Sequence, residues 1–172
     1  VVAIEDYNKG LCTEAVCAGV IERSRGADVR VLVDPASVRD YSKYRGCSAA
    51  TPNRSEAELA TGMSAESGAE GVARSRAATR ESEAVIVTLD RDGALLLERG
   101  GEPERVPTVA REVYDVTGAG DMVLAALCGG IANGLSWREA TELANIAAGL
   151  EVQVFGVQPI PLETLHREVL LR

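Results

Sequence analysis

The chain has 172 residues, of which 46% are hydrophobic, 3% aromatic and 26% charged, and its formal net charge is −8. That balance is typical of one soluble folded domain and excludes a disordered chain. The acidic balance argues against nucleic acid as the main partner, because a phosphate backbone calls for a basic surface. With so few aromatic residues, the core must consist of Val, Leu, Ile and Ala, which favours buried parallel strands.

Cysteine placement and hydropathy favour a cytoplasmic protein without a membrane span. The four cysteines form no CxxC pair, so we expect free thiols in a reducing compartment. The apolar residues 1–4 are followed at once by acidic residues, without the basic start or the cleavage site of a signal peptide. No apolar run reaches the length that a membrane-spanning helix needs.

Strand and helix patterns alternate along the whole chain. Residues 1–6 resemble a buried strand without a lead-in, so we expect the chain to be the C-terminal part of a longer domain. The pattern then predicts, in chain order, a helix at 13–25, strands at 29–33 and 47–51, helices at 55–60 and 66–79, strands at 84–89 and 94–98, an extended piece at 102–109, and helices at 118–133, 137–154 and 162–171.

This alternation predicts an α/β fold with a mostly parallel sheet and helices on both faces. Gly134 is a natural stop for the helix at 118–133. Ser136 and Glu139 have the spacing of a capping box at the start of the next helix. Ligands of such folds bind beyond the carboxyl ends of the strands, where we look for the functional residues.

The most informative stretch is DVTGAGD at residues 115–121, directly before a long apolar helix. Gly118 and Gly120 allow a ligand to approach the backbone closely. The first N–H groups of a helix lack internal partners, so this turn can stabilise charge on a transferred phosphoryl group. Asp121 can accept a proton from an attacking hydroxyl. Taken alone, the segment is equally compatible with a tight turn followed by a helix-start charge.

DVTGAGD followed by MVLAAL closely resembles the C-terminal signature of the ribokinase-like (PfkB) carbohydrate kinases. Three further segments resemble family motifs in the family's order, namely NRSE at 53–56, TLDRDGA at 88–94 and ANIAAG at 144–149. The resemblance therefore extends over most of the chain from Asn53 onward. It implies a ribokinase-like fold, with residues 1–172 forming the ATP-binding, phosphoryl-transfer part of the kinase domain.

The resemblance implies a role for each matching residue, with ATP and Mg²⁺ as cofactors. Asp121 would be the base that deprotonates the sugar hydroxyl. The backbone of Gly118, Ala119 and Gly120 would form the anion hole. The remaining assignments are Asn53 and Glu56 for ordering magnesium and phosphate, the latter indirectly, and Thr88, Gly93 and Asn145 for the nucleotide.

Family members often hold a potassium ion beside the anion hole. By position, the ligands here would be Asp115, Thr117 and the carbonyl groups of Glu151, Val154 and Gly156. Asp90 stands where the family commonly has glycine, which puts the local nucleotide contact in doubt.

The first half of the chain resembles the bacterial heptose 7-phosphate kinases more particularly. DYNKG at residues 6–10 carries this resemblance, together with VDP at 33–35, DYSKYRG at 40–46 and VY at 113–114. Ala36 replaces the lysine that usually follows the Asp-Pro pair. The implied substrate is D-glycero-D-manno-heptose 7-phosphate, with Lys9 as a candidate for its phosphate. Lys9 could equally be a solvated loop lysine, and Asp34 could orient substrate or metal or simply end a strand.

Two other functions stay open at this point. A kinase of the same family acting on ribose, fructose or a similar alcohol would differ only in the sugar site. A non-catalytic nucleotide-binding module would keep the fold without the turnover, although the presence of Asp121, its glycines and the Asn53/Glu56 pair speaks against it. The full-length protein would pair as a homodimer if it follows other family members.

Overall fold

The computed structural model describes residues 1–62, 82–108, 117–156 and 158–171. The helix predicted at 66–79 lies outside them. The elements are β1 (Val2–Glu5), α1 (Glu14–Gly26), β2 (Val31–Asp34), β3 (Ala49–Ala50), α2 (Arg54–Thr61), β4 (Ala84–Thr88), β5 (Ala94–Glu98), β6 (Glu104–Val106), α3 (Ala119–Ala132), α4 (Trp137–Glu151) and α5 (Leu162–Leu170). Single 3₁₀ turns lie at Ser42–Tyr44 and Asp90–Asp92.

The six strands form one sheet in the order β1-β2-β3-β4-β5-β6. Strands β1 to β4 run parallel, and β5 and β6 add an antiparallel meander at one edge. The predicted α/β fold with a mostly parallel sheet is therefore confirmed. Because parallel strands end at the same edge, the carboxyl ends of β1 to β4 lie side by side.

Helices cover both faces of the sheet, as its alternating side chains require. On one face, Leu32, Ile86 and Leu96 pack with Leu124 and Leu127 of α3 and with apolar residues of α4. The neighbouring strand residues point to the other face, where one cluster includes Cys17 and Ile21 of α1 and another includes Ala57 of α2. Burial on both faces explains why the strands are short, nearly continuous apolar runs.

Several predicted elements are shorter in the structure than their patterns suggested, and two of them have a local cause. The strand expected at 47–51 is reduced to Ala49–Ala50, because the Cys47 N–H bonds to Tyr44 within a turn and Pro52 supplies no donor. Helix α4 ends at Glu151 rather than at 154. There the Val152 N–H reaches the carbonyl groups of Ala148 and Leu150, which tightens the last turn.

Two local expectations are met among the described residues. Ser136 and Glu139 form the predicted capping box at the start of α4. All four cysteines are free thiols. Within the described ranges, no helix combines the length and the apolar character needed to cross a membrane.

Candidate active site

The carboxyl ends of β1 and β2 face the start of α3, the helix that follows the glycine-rich turn. Glu5 and Asp34 are the last residues of these two strands and are paired in register. Gly120 in the first turn of α3 lies against them, since a β-carbon at Gly120 would be 3.3 Å from the Asp34 carboxylate oxygen Oδ2. The fold thus brings Asp34 and the glycine-rich turn together, although 86 positions of sequence separate Asp34 from Gly120.

Helix α3 starts at a glycine in the left-handed conformation. Gly118 is the N-cap residue with φ 88°, and no side chain caps the helix start within the described part of the chain. The first intrahelical bond runs from the Met122 N–H to the Gly118 carbonyl at 2.9 Å. The preceding N–H groups of the first turn have no intrahelical acceptor. This backbone can therefore donate to an anion, and the helix dipole favours negative charge there.

Asp121 is the third residue of α3, and its side chain is exposed at the same edge. Its Oδ1 accepts a 2.8 Å hydrogen bond from the phenol of Tyr7. That hydrogen bond raises the pKa of Tyr7 to about 12, with a smaller contribution from burial. Tyr7 is not among the site residues predicted from the sequence, although it lies in the DYNKG segment at residues 6–10.

The carboxylates at this edge lie close enough to perturb one another. Burial raises the pKa of Asp34 to about 8, and the charges of Glu5 and Glu56 add to the effect. Burial also raises the pKa of Glu5, with Asp121 among the contributing charges. Asp34 in turn accepts a 3.2 Å hydrogen bond from the Thr51 hydroxyl. The edge therefore carries a surplus of negative charge that a bound cation would relieve.

Asn53 and Glu56 are held by each other at the start of α2. The Asn53 side chain accepts from the Glu56 N–H, and the Glu56 carboxylate accepts from the Asn53 N–H at 2.9 Å. The other Glu56 oxygen accepts a 2.9 Å bond from the Ser37 hydroxyl. Both carboxylate oxygens thus have protein donors, which fits a metal contact through water better than a direct one.

The residues assigned to the nucleotide surround the β4–β5 turn and the end of β6. Thr88 forms a parallel bridge with Asn53. A β-carbon at Gly93 would overlap the Val106 carbonyl oxygen. The buried Asn145 side chain donates to that same oxygen at 2.9 Å and to the Pro107 carbonyl at 3.3 Å. Gly93 and Asn145 therefore both hold the end of β6, a structural role that their assignment did not include.

Asp90 has φ 53°, a left-handed backbone conformation. Glycine adopts this region without strain, and Asp tolerates it better than most other residues. The conformation accounts for glycine being common at this position. Arg54 of α2 contacts the Asp90 carboxylate at 3.5 Å and the Asp92 carboxylate at 3.1 Å, so the turn is attached to the start of α2.

The assigned potassium ligands are only partly within the described residues. Asp115 lies outside them, while Thr117, Val154 and Gly156 lie within. The Glu151 carbonyl accepts the Val154 N–H at 3.0 Å. The Glu151 side chain is buried and its Oε2 has no hydrogen-bond partner among the described residues, and burial raises its pKa, with the charge of Asp121 adding. A buried oxygen without a donor suits a cation there.

Two further observations concern metal-ligating side chains and the position of Lys9. Among the described residues, no group of three or more His, Cys, Asp or Glu side chains is arranged to hold a metal ion. Lys9 is exposed on the loop after β1, in the same segment as Tyr7.

The mostly parallel sheet has at its carboxyl edge a helix start with a glycine N-cap and an acidic residue in its first turn, which is the edge where ligands of α/β folds bind. Residues 2–165 match the sequence model of the family described as pfkB family carbohydrate kinase. The chain therefore belongs to the pfkB family of carbohydrate kinases, as the resemblance in the sequence implied.

Curated relatives and solved structures agree with this membership. The protein called Bifunctional protein HldE from Trichlorobacter lovleyi is 44% identical over 162 residues, which cover 93% of this chain and 33% of that protein. HldE from Geotalea uraniireducens is 43% identical with the same coverage. The chain thus spans about one third of these relatives. Arabidopsis thaliana ribokinase, solved with ribose and ATP, is 28% identical with a TM-score of 0.75, covering 84% of this chain and 48% of that one.

Proposed function

We propose that this chain is the ATP-binding, phosphoryl-transfer part of a kinase that phosphorylates a sugar-phosphate hydroxyl. The best candidate substrate is D-glycero-D-manno-heptose 7-phosphate, converted to the 1,7-bisphosphate on the way to ADP-heptose for lipopolysaccharide. The observation that carries the proposal is the exposed Asp121 carboxylate in the first turn of α3, beside a helix start whose N-cap residue is a glycine. Family membership and the HldE relatives support it.

In this proposal the residues at the carboxyl edge of the sheet have two separate roles in phosphoryl transfer. Asp121 accepts the proton of the attacking hydroxyl. The backbone N–H groups at Gly118, Ala119 and Gly120 stabilise the charge that develops on the transferred phosphoryl group. Because phosphoryl transfer depends on alignment and charge neutralisation, no covalent intermediate with the protein is required.

The cofactor sites follow from the same assignment. ATP supplies the phosphoryl group, and Mg²⁺ neutralises its charge. Glu56, already held by Asn53 and Ser37, orders the magnesium through water. Thr88, Gly93 and Asn145 support the nucleotide from the β4–β5 turn and the end of β6. A potassium ion beside the anion hole would use Asp115, Thr117 and carbonyl groups at 151, 154 and 156, with the buried Glu151 side chain adding negative charge.

Substrate selection is assigned to the loop after β1. Lys9 is exposed there and carries the compact charge that suits the phosphate of an anionic sugar. The proposal also includes a cytoplasmic location, a small-molecule substrate in place of nucleic acid, and a homodimer in the full-length protein.

The test is ADP release by the complete gene product that contains this chain. Heptose 7-phosphate, ribose and fructose 6-phosphate are supplied in parallel. We expect turnover with heptose 7-phosphate alone, and a fall in kcat of about 10²–10⁴ for Asp121→Asn, the range for losing a general base. Asp28→Asn is the matched control, because Asp28 is an exposed carboxylate at the amino end of β2.

Each outcome separates the candidates. Turnover on another sugar would retain the kinase and its base but discard the heptose assignment. ATP binding without turnover on a wide panel of alcohols would favour the non-catalytic module. Full activity of Asp121→Asn would remove Asp121 from the mechanism.

A further inference from the structure

The loop between β1 and α1 carries Tyr7 across the carboxyl edge of the sheet to the first turn of α3. We infer that Tyr7 is a positioning residue for Asp121, and that a buried clamp on Asp6 holds the loop that presents it. This inference rests on the proposed function, in which Asp121 is the base. It adds a residue that acts through that base.

The Asp121 carboxylate depends on Tyr7 for its orientation. The phenol is the one hydrogen-bond partner of this side chain in the described ranges, and it binds Oδ1 at 2.8 Å. An exposed carboxylate on a helix otherwise rotates among several rotamers. With Oδ1 held, Oδ2 is left to accept the proton of a substrate hydroxyl. Small misplacements of reacting groups are costly in rate, so fixing the carboxylate is a catalytic advantage.

The clamp is built on the buried side chain of Asp6, which is 6% exposed. Its Oδ2 accepts from the Lys43 ammonium group at 2.6 Å and from the Tyr44 phenol at 2.7 Å. Its Oδ1 accepts from the Asn8 N–H at 2.8 Å, which shapes the turn directly after Tyr7. Burial opposes ionisation, but the hydrogen bonds from Lys43 and Tyr44 lower the pKa of Asp6 overall.

Lys43 holds both ends of the loop. Its ammonium group donates to Asp6 at the start of the loop and, at 3.4 Å, to the Cys12 carbonyl near the end of the loop. The clamp matters because Tyr7 itself is 60% exposed. A hydrogen bond that faces water stabilises little unless the loop carrying it is already ordered. The clamp therefore supplies the order that the contact with Asp121 requires.

The first test is Tyr7→Phe in the complete protein, assayed with ATP and heptose 7-phosphate. We expect kcat to fall about tenfold to a hundredfold, as for loss of a hydrogen bond to a charged group, while KM for ATP stays unchanged. Lys43→Met should reproduce part of this fall. Tyr41→Phe is the matched control, because the buried Tyr41 hydroxyl has no hydrogen-bond partner among the described residues; its kcat should equal that of the parent.

A double variant shows whether Tyr7 acts through Asp121. Tyr7→Phe introduced into Asp121→Asn should cause no further loss of kcat, because the group that Tyr7 positions is gone. An equal fall in both backgrounds would overturn the inference, as would an unchanged kcat for Tyr7→Phe alone.

A measurement that needs no turnover keeps this inference separate from the proposed function. The ¹³C signal of the Asp121 carboxyl is assigned in the complete protein by its disappearance in Asp121→Asn. Tyr7→Phe should shift that signal, and Tyr41→Phe should not. A shift in a protein without turnover would mean that the contact exists while the proposed function fails. An unshifted signal would overturn the contact and the inference with it.

Discussion

Helices α2, α3 and α4 all carry an acidic residue at the third helical position, but the residue in α3 does not fold back onto its N-cap. Glu56 in α2 and Glu139 in α4 fold back onto the N-cap backbone and complete capping boxes. Asp121 in α3 makes no such bond and accepts instead from Tyr7, 114 positions away in the chain. The N-cap residue explains the difference, since Asn53 and Ser136 offer a side chain and Gly118 offers none.

This difference separates a helix start that stabilises the fold from one that is available to a ligand. A capping box satisfies two of the unpaired N–H groups and contributes roughly 1 kcal/mol. The start of α3 lacks that stabilisation. Its first N–H groups and the second oxygen of the Asp121 carboxylate are not used in a capping box. Helix α2 combines the two features, because Glu56 completes a capping box and also lies near Asp34 at the acidic edge.

Among variants that test this comparison of helix starts, the largest effect is expected from Gly118→Ala. A left-handed φ of 88° disfavours alanine by about 1 kcal/mol, and relaxation of the turn would displace the N–H groups and Asp121. Because a displacement of about 1 Å can lower a rate about a hundredfold, we expect kcat to fall by that order. Kinetics and thermal unfolding of the same variant measure the two effects.

Gly134→Ala is the matched control for the conformational cost. Gly134 has φ 85°, with open space around a β-carbon, and it follows the other end of α3. Gly134→Ala should lose about as much stability as Gly118→Ala, and its kcat should equal that of the parent. Equal kinetic losses in both variants would mean that the start of α3 has no special role.

A smaller effect is expected from Glu56→Gln, which tests the helix that both caps and faces the site. Glutamine can still accept the N-cap N–H, so the capping box survives and only the charge is removed. We expect kcat to fall about tenfold with little change in the melting temperature, since removing a charge that orders Mg²⁺ weakens charge neutralisation.

Glu139→Gln makes the same change in the capping box of α4. It should leave kcat unchanged, because Trp137 beside that box contacts Arg30 at the amino end of β2, opposite the carboxyl edge of the sheet. If Glu56→Gln behaves like Glu139→Gln in the kinetic assay, then Glu56 is a structural cap and nothing more.

Sequence patterns predicted the α/β alternation, the capping box at Ser136 and the placement of Asp121 at a glycine-rich helix start. These features are local, so a few neighbouring residues determine them. The Tyr7–Asp121 contact and the attachment of Asn145 to the end of β6 join segments 114 and 39 positions apart. No periodicity encodes such contacts, and only the order of strands in the sheet brings the residues together.

The smallest effect is a pH dependence that differs in sign between the two helix starts. Asp34, against the first turn of α3, has its pKa raised from 3.8 to about 8 by burial and neighbouring carboxylates. The folded state then binds more protons than the unfolded state between these values, so the free energy of unfolding falls as pH rises through this window. Glu139, at the start of α4, has its pKa lowered by hydrogen bonds from Ser136, so its contribution is instead lost as pH falls.

Asp34→Asn should therefore flatten the decline in stability between about pH 4 and pH 8, and its difference from the parent should be largest at the upper end of this window. Glu139→Gln should leave that decline in place. It should lower stability relative to the parent above the acidic range, and the difference should disappear as pH falls through the acidic range. Urea unfolding of both variants across this pH range measures the two slopes. If Asp34→Asn keeps the parent's slope, Asp34 is not the group that binds the proton.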